Sequence, residues 1–133
     1  MAGTGNILAD IVPNPAREIF TTLLAEPGVS IERIVSAGQA SPPGFWYEQA
    51  YGEWVLLLAG AAALEFEGEA QPRRLGPGDY VWIPPRRRHR VAWTEAGPAT
   101  VWLAVHIGAP KGEPARRQLS STSRSLAASS RRR

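Results

Sequence analysis

Two histidines, twelve side-chain carboxylates and no cysteine bound what this 133-residue chain can do chemically. Without a thiol there is no thiolate ligand, no thiol nucleophile and no disulfide. Proton transfer and metal ligation therefore fall to imidazole and carboxylate. On an extended chain alternate side chains share a face. Tyr47 and Gln49 thus point one way, with Trp46 and Glu48 opposite, and Glu53 opens the next strand after a turn at Tyr51-Gly52. Further on, His89, Val91 and Trp93 share a face, so Trp93 is expected to look inward with His89. His106 lies on the last strand beside Trp102 and Ala104.

The elements that must hold these residues are short. Pro15 suits a helix start, and Ile19, Phe20, Leu23 and Leu24 recur at helical spacing until Pro27-Gly28, which predicts a helix over 16–25. Val29 to Ser36 reads as a strand. After the break at Pro42-Pro43-Gly44, Trp54 to Leu58 and Ala62 to Glu67 read as a hairpin turning at Ala59-Gly60. Arg73 to Leu75, Tyr80 to Ile83, Arg90 to Thr94 and Thr100 to Ile107 complete the strand-like runs. All five tryptophans (46, 54, 82, 93 and 102) fall on expected strands. Many short strands with turns between them mean an all-β sandwich or barrel.

Two segments then add a resemblance. Glu53-Trp-Val-Leu-Leu-Leu-Ala-Gly60 keeps a Glu-x6-Gly frame, and Gly78-Asp-Tyr-Val-Trp-Ile-Pro84-Pro-Arg-Arg-Arg-His89 keeps Gly-x5-Pro-x4-His. Together these resemble the two signature motifs of the cupin superfamily, small double-stranded β-helix (jelly-roll) barrels that hold a metal or small molecule inside. The resemblance implies that Tyr47 and Gln49 occupy the positions of two family histidines, Glu53 that of the glutamate and His89 that of the last ligand. His106 is kept in related small cupins. Ser41 stands for the first motif's leading Gly, Arg86 for a common Gly and Trp93 for a common Asn.

The residues leave three readings of such a site open. In one, Gln49, Glu53 and His89 hold a divalent ion such as Fe, Mn, Ni or Zn, in a dioxygenase- or lyase-like enzyme. In another, Tyr47, Gln49, Glu53 and His89 only satisfy one another as a buried hydrogen-bonded cluster. In the third, they form the polar end of a metal-free pocket for a small anionic or aromatic molecule, with Trp93 and His106 in its wall and Glu53 and His89 available for proton transfer.

The net charge of +3 divides unevenly. From Lys111 onward seven basic residues face only Glu113, so residues 1–110 carry −3 and the basic character belongs to the tail. That argues against specific nucleic-acid binding by the globular part. Arg86, Arg87, Arg88 and Arg90 are expected at the barrel mouth, where they would favour an anionic ligand. No apolar run is long enough for a membrane-spanning helix, and no signal peptide is evident, which makes the cytoplasm the expected location. The expected organisation is an extension with a short helix over 1–28, a barrel over 29–110 and a disordered basic Ser/Arg-rich tail over 111–133. Exposed strand aromatics fit a homodimer, by analogy with other small cupins.

Overall fold

The computed structural model describes residues 2–108. The basic segment 111–133, expected to be disordered, lies outside them. Eight strands follow in order: β1 (Ile19–Glu26), β2 (Val29–Ser36), β3 (Gly52–Ala59), β4 (Ala62–Phe66), β5 (Arg73–Leu75), β6 (Tyr80–Ile83), β7 (His89–Thr94) and β8 (Thr100–Ile107). They form a five-stranded sheet, β1-β2-β8-β3-β6, and a three-stranded sheet, β5-β4-β7, with every pairing antiparallel. A core of Ile34, Val55, Leu57, Leu64, Val91 and Trp102 fills the space between the sheets.

The helix expected over 16–25 is a strand. β1 pairs with β2 in a register that jumps between Thr22 and Leu24, which leaves Leu23 as an extra, bulged residue. The bulge breaks the two-residue alternation and sets Leu23 and Leu24 side by side, so the sequence imitates helical spacing. β-Branched Ile19, Thr21 and Thr22 favour the pleated form. The sheet consequently begins at Ile19, ten residues before the expected barrel boundary.

The expected hairpin is also absent, because β3 and β4 belong to different sheets. Gly60 carries the chain across at φ 86°, and a Cβ there would lie 2.6 Å from the Thr100 Cα and 2.8 Å from the Ala99 carbonyl oxygen. Only glycine tolerates both the dihedral and the approach. Trp46 is outside the strands as well; its neighbour Tyr47 makes a single bridge to His89.

In the first half of β2 the apolar residues face outward. Ser30, Glu32, Ile34 and Ser36 are the inward set, and Val29, Ile31 and Arg33 line the outer surface. The Arg33 guanidinium donates to the carbonyls of Ile7 (3.1 Å) and Ala9 (2.7 Å), which straps the N-terminal segment to that face. Among the described residues, no helix is long and apolar enough to cross a membrane.

Candidate functional site

Register places the site. Across the large sheet, Ser30 pairs with His106, His106 with Glu53, and Glu53 with Ile83. Side chains at paired positions share one face about 5 Å apart, so Ser30, His106 and Glu53 stand in a row facing the interior. The opposite sheet contributes His89, the first residue of β7. Tyr47 fixes its backbone: the Tyr47 N–H donates to the His89 carbonyl (2.7 Å), and the His89 N–H returns the bond (3.1 Å).

These groups are sealed from solvent, with Glu53 and His89 at 0% exposure and His106 at 1%. The Glu53 carboxylate lies between the two imidazoles. His106 Nε2 is 3.3 Å from Oε2, and His89 Nε2 is 3.8 Å from Oε1. The first distance is a hydrogen bond; the second lies beyond hydrogen-bond length. The outer ring nitrogens are held too, His89 Nδ1 2.8 Å from the Arg87 carbonyl and His106 Nδ1 3.2 Å from Ser30 Oγ. Aromatic rings set the tilt of the imidazoles. Tyr47 stacks on His89 at 5.6 Å with Phe66 beyond it at 6.1 Å, and Tyr51 meets His106 edge-on at 5.5 Å.

Of the residues expected at the site, the structure brings Tyr47, Glu53, His89 and His106 together. Gln49 is half-buried and donates to the Tyr51 hydroxyl at 3.4 Å, so it meets the group through Tyr51. Trp93 does not face the interior. The β4–β7 register jumps between Ala63 and Leu64, opposite Trp93 and Val91, which makes Ala92 the extra residue. The bulge flips the phase after Val91: Thr94 turns inward and Trp93 goes out, 39% exposed, under the Arg74 guanidinium at 5.1 Å. Three residues were not anticipated from sequence, namely Ser30, Tyr51 and the buried carboxylate of Glu32 in the adjacent row. The signal for two of them was the polar phase of β2, every second residue from Ser30.

A divalent ion does not fit these donors as they stand. Among the described residues no group of three or more His, Cys, Asp or Glu is disposed to hold one. The reason is visible in the geometry. His106 Nε2 is taken up in a hydrogen bond to one Glu53 oxygen, while His89 Nε2 stands 3.8 Å from the other. Gln49, expected as a ligand, is turned to Tyr51.

The arginines of β5, β7 and the turn before β7 are largely paired. Arg88 meets Glu67 (2.6 Å) and Glu48 (3.7 Å), Arg90 meets Glu65 (2.8 Å), and Arg73 and Arg87 share Glu69 (2.7 and 3.4 Å). The hydrogen bond from Arg73 holds the Glu69 carboxyl below its usual range, and Glu69 in turn raises the Arg73 guanidinium. Arg73 and Arg87 also lie over the Phe66 ring, at 4.6 and 5.1 Å, and Phe66 is the ring behind His89. Arg86 stands exposed at φ 70° in the turn before β7.

Comparison with known proteins decides the family. The pattern of the cupin domain matches residues 32–106, more than half of the chain. The chain belongs to the cupin family. A crystal structure of a protein from Ralstonia eutropha, provisionally named a mannose-6-phosphate isomerase, is 51% identical, with a TM-score of 0.78 over 81% of this chain and 100% of that one. A cupin superfamily protein of Desulfitobacterium hafniense aligns at 20% identity and TM-score 0.64, covering 80% of this chain and 93% of that chain. The DMSP lyase DddQ of Ruegeria pomeroyi aligns at 26% identity and TM-score 0.54, covering 74% of this chain and 50% of the lyase. No curated protein matches the sequence.

Proposed function

We propose that this cupin barrel binds a small anionic molecule through its arginine-rich mouth and exchanges protons with it at Glu53 and the two histidines. The observation that carries the reading is the fully buried Glu53, with an imidazole against each oxygen. A carboxylate removed from water costs several kcal/mol unless it is partnered. Holding one between two proton-exchanging rings is therefore a specialised arrangement, suited to general acid–base chemistry. Aromatic walls from Tyr47, Tyr51 and Phe66 suit the apolar part of a ligand.

The anionic preference is supported by the exposed Arg86 in the turn that leads into His89, and by the 51% identical protein whose name includes a sugar phosphate. An isomerase-type proton transfer on a phosphorylated or carboxylated substrate accords with both. The test is calorimetric titration with a hexose 6-phosphate, the neutral hexose and inorganic phosphate, followed by deuterium uptake at carbon in D2O. Binding of the phosphorylated sugar that exceeds the neutral one, with exchange lost in Glu53→Gln, is expected. Equal affinity for neutral and charged probes, or exchange unchanged in Glu53→Gln, would overturn it.

We also propose that the protein's macromolecular partner is a second copy of itself, docked on the outer face of the five-stranded sheet. Register sets Leu24, Ile31, Val105, Trp54 and Trp82 in one apolar row across all five strands. Tyr80, tilted against Trp54 at 5.6 Å, widens the row.

A further inference from the structure

Each imidazole of the site has one nitrogen turned to Glu53 and one turned away, and the groups on the outer nitrogens differ. At His89 the outer nitrogen is Nδ1, 2.8 Å from the Arg87 carbonyl oxygen. A carbonyl only accepts, so Nδ1 carries the hydrogen and Nε2 of the neutral ring presents a lone pair toward Glu53. At His106 the inner nitrogen lies 3.3 Å from the Glu53 carboxyl, which in its ionised form only accepts. Nε2 must then be the N–H, and the Nδ1 lone pair needs a donor. The Ser30 hydroxyl, 3.2 Å away and free to rotate, is one.

We infer that Ser30 and the Arg87 carbonyl lock the two imidazoles in opposite tautomers, so that His106 donates through Nε2 and His89 accepts through Nε2 on the two sides of Glu53. Ser30 is a positioning residue, acting through His106. The consequence deepens the acid–base reading above and rests on it for its function. The site acquires a direction, with a proton offered at the His106 end and received at the His89 end.

Because the chain holds only two histidines, long-range 1H–15N correlation of uniformly labelled, tag-free protein reads both rings without crowding. The experiment belongs at about pH 8, where an ordinary imidazole is neutral, and His89→Gln and His106→Gln assign the signals. The expected result is protonated Nδ1 on His89 and protonated Nε2 on His106. In Ser30→Ala the His106 signals should move toward a mixture of tautomers while those of His89 stay; Ser30→Thr, which keeps the hydroxyl, should restore the wild-type pattern. The same tautomer on both rings would overturn the inference, as would an unshifted His106 in Ser30→Ala. Should Ser30→Ala not fold, the wild-type spectrum and Ser30→Thr still decide it. Opposite tautomers in a protein that binds no anion would sink the proposed function and leave this inference standing.

Discussion

Glu53 shows why the site is built as a chain of partners. Its carboxylate has no contact with water, and removing one member of a buried pair costs about 3–5 kcal/mol, because the charge left behind is uncompensated. His106→Leu should accordingly destabilise the protein by about that amount in urea unfolding. Adding Glu53→Leu to it should recover part of the loss, since the stranded charge goes with it. Losses that simply add would mean that the two side chains do not act as a pair. Donor geometry makes a second prediction. Protein prepared without a nickel column should contain no stoichiometric Fe, Mn, Ni or Zn, and adding these ions should leave anion binding unchanged. Metal at one ion per chain that disappears in His89→Ala would refute it. At this scale the sequence was partly legible. Glu53 and His89 stood in fixed spacing to glycines and a proline that shape turns. His106 carried no such frame, and Ser30 and Tyr51 looked like ordinary strand and turn residues. Their roles depend on cross-strand register, which local spacing does not encode.

Elements explain the misreadings better than residues do. Each bulge inserts one residue and reverses the inside–outside phase beyond it; one disguised β1 as a helix and the other turned Trp93 outward. The strands themselves were legible because β-branched and aromatic runs bounded by Gly and Pro survive such a slip. Two glycines of similar crowding separate backbone from side-chain constraint. Gly60→Ala meets the Thr100 backbone and the Ala99 carbonyl at φ 86°, and overpacking against groups that cannot move costs about 1–3 kcal/mol before any dihedral strain. Gly52→Ala meets only the ring of Trp82, which is 48% exposed and able to swing away. Thermal unfolding should rank Gly60→Ala well below Gly52→Ala, and equal losses would contradict this account of the turn. The Glu69 turn after β4 adds a pH signature. Its carboxyl lies below the usual range, chiefly through the Arg73 hydrogen bond, so its contribution is complete above the ordinary glutamate pKa and fades as pH falls through the lowered value. Between about pH 6 and pH 3 the wild type should lose slightly more thermal stability than Glu69→Gln, and salt should shrink the difference because the pair is exposed. Parallel pH profiles would show that the pair contributes nothing.

For the whole molecule, the outer surface of the larger sheet poses the remaining problem. In β2 the polar residues went inside to build the site, which left Val29 and Ile31 outside. In β8 and β3 the outward phase is Leu103, Val105 and Ile107, and Trp54 and Leu56. Ile107 is 50% exposed, Trp82 48%, Tyr80 66% and Leu24 44%. Five strands about 4.8 Å apart and up to eight residues long give a face on the order of 600 Å². That approaches the roughly 800 Å² per partner that a standard interface buries, and it matches the upper end of the roughly 300–600 Å² patch that a monomer leaves open to water. A second copy fits because strand rows related by a two-fold axis present the same apolar surface to each other. Sedimentation equilibrium should report a dimer for the wild type. A charge at the centre of the row, Val105→Glu, or at its edge, Trp82→Glu, should shift the protein to monomer with its circular dichroism retained, since both side chains point away from the core. The interior histidines would keep their row, so the opposite tautomers should survive in the monomer. A wild type that sediments as a monomer at all concentrations would leave this apolar face to some other partner and end the dimer proposal.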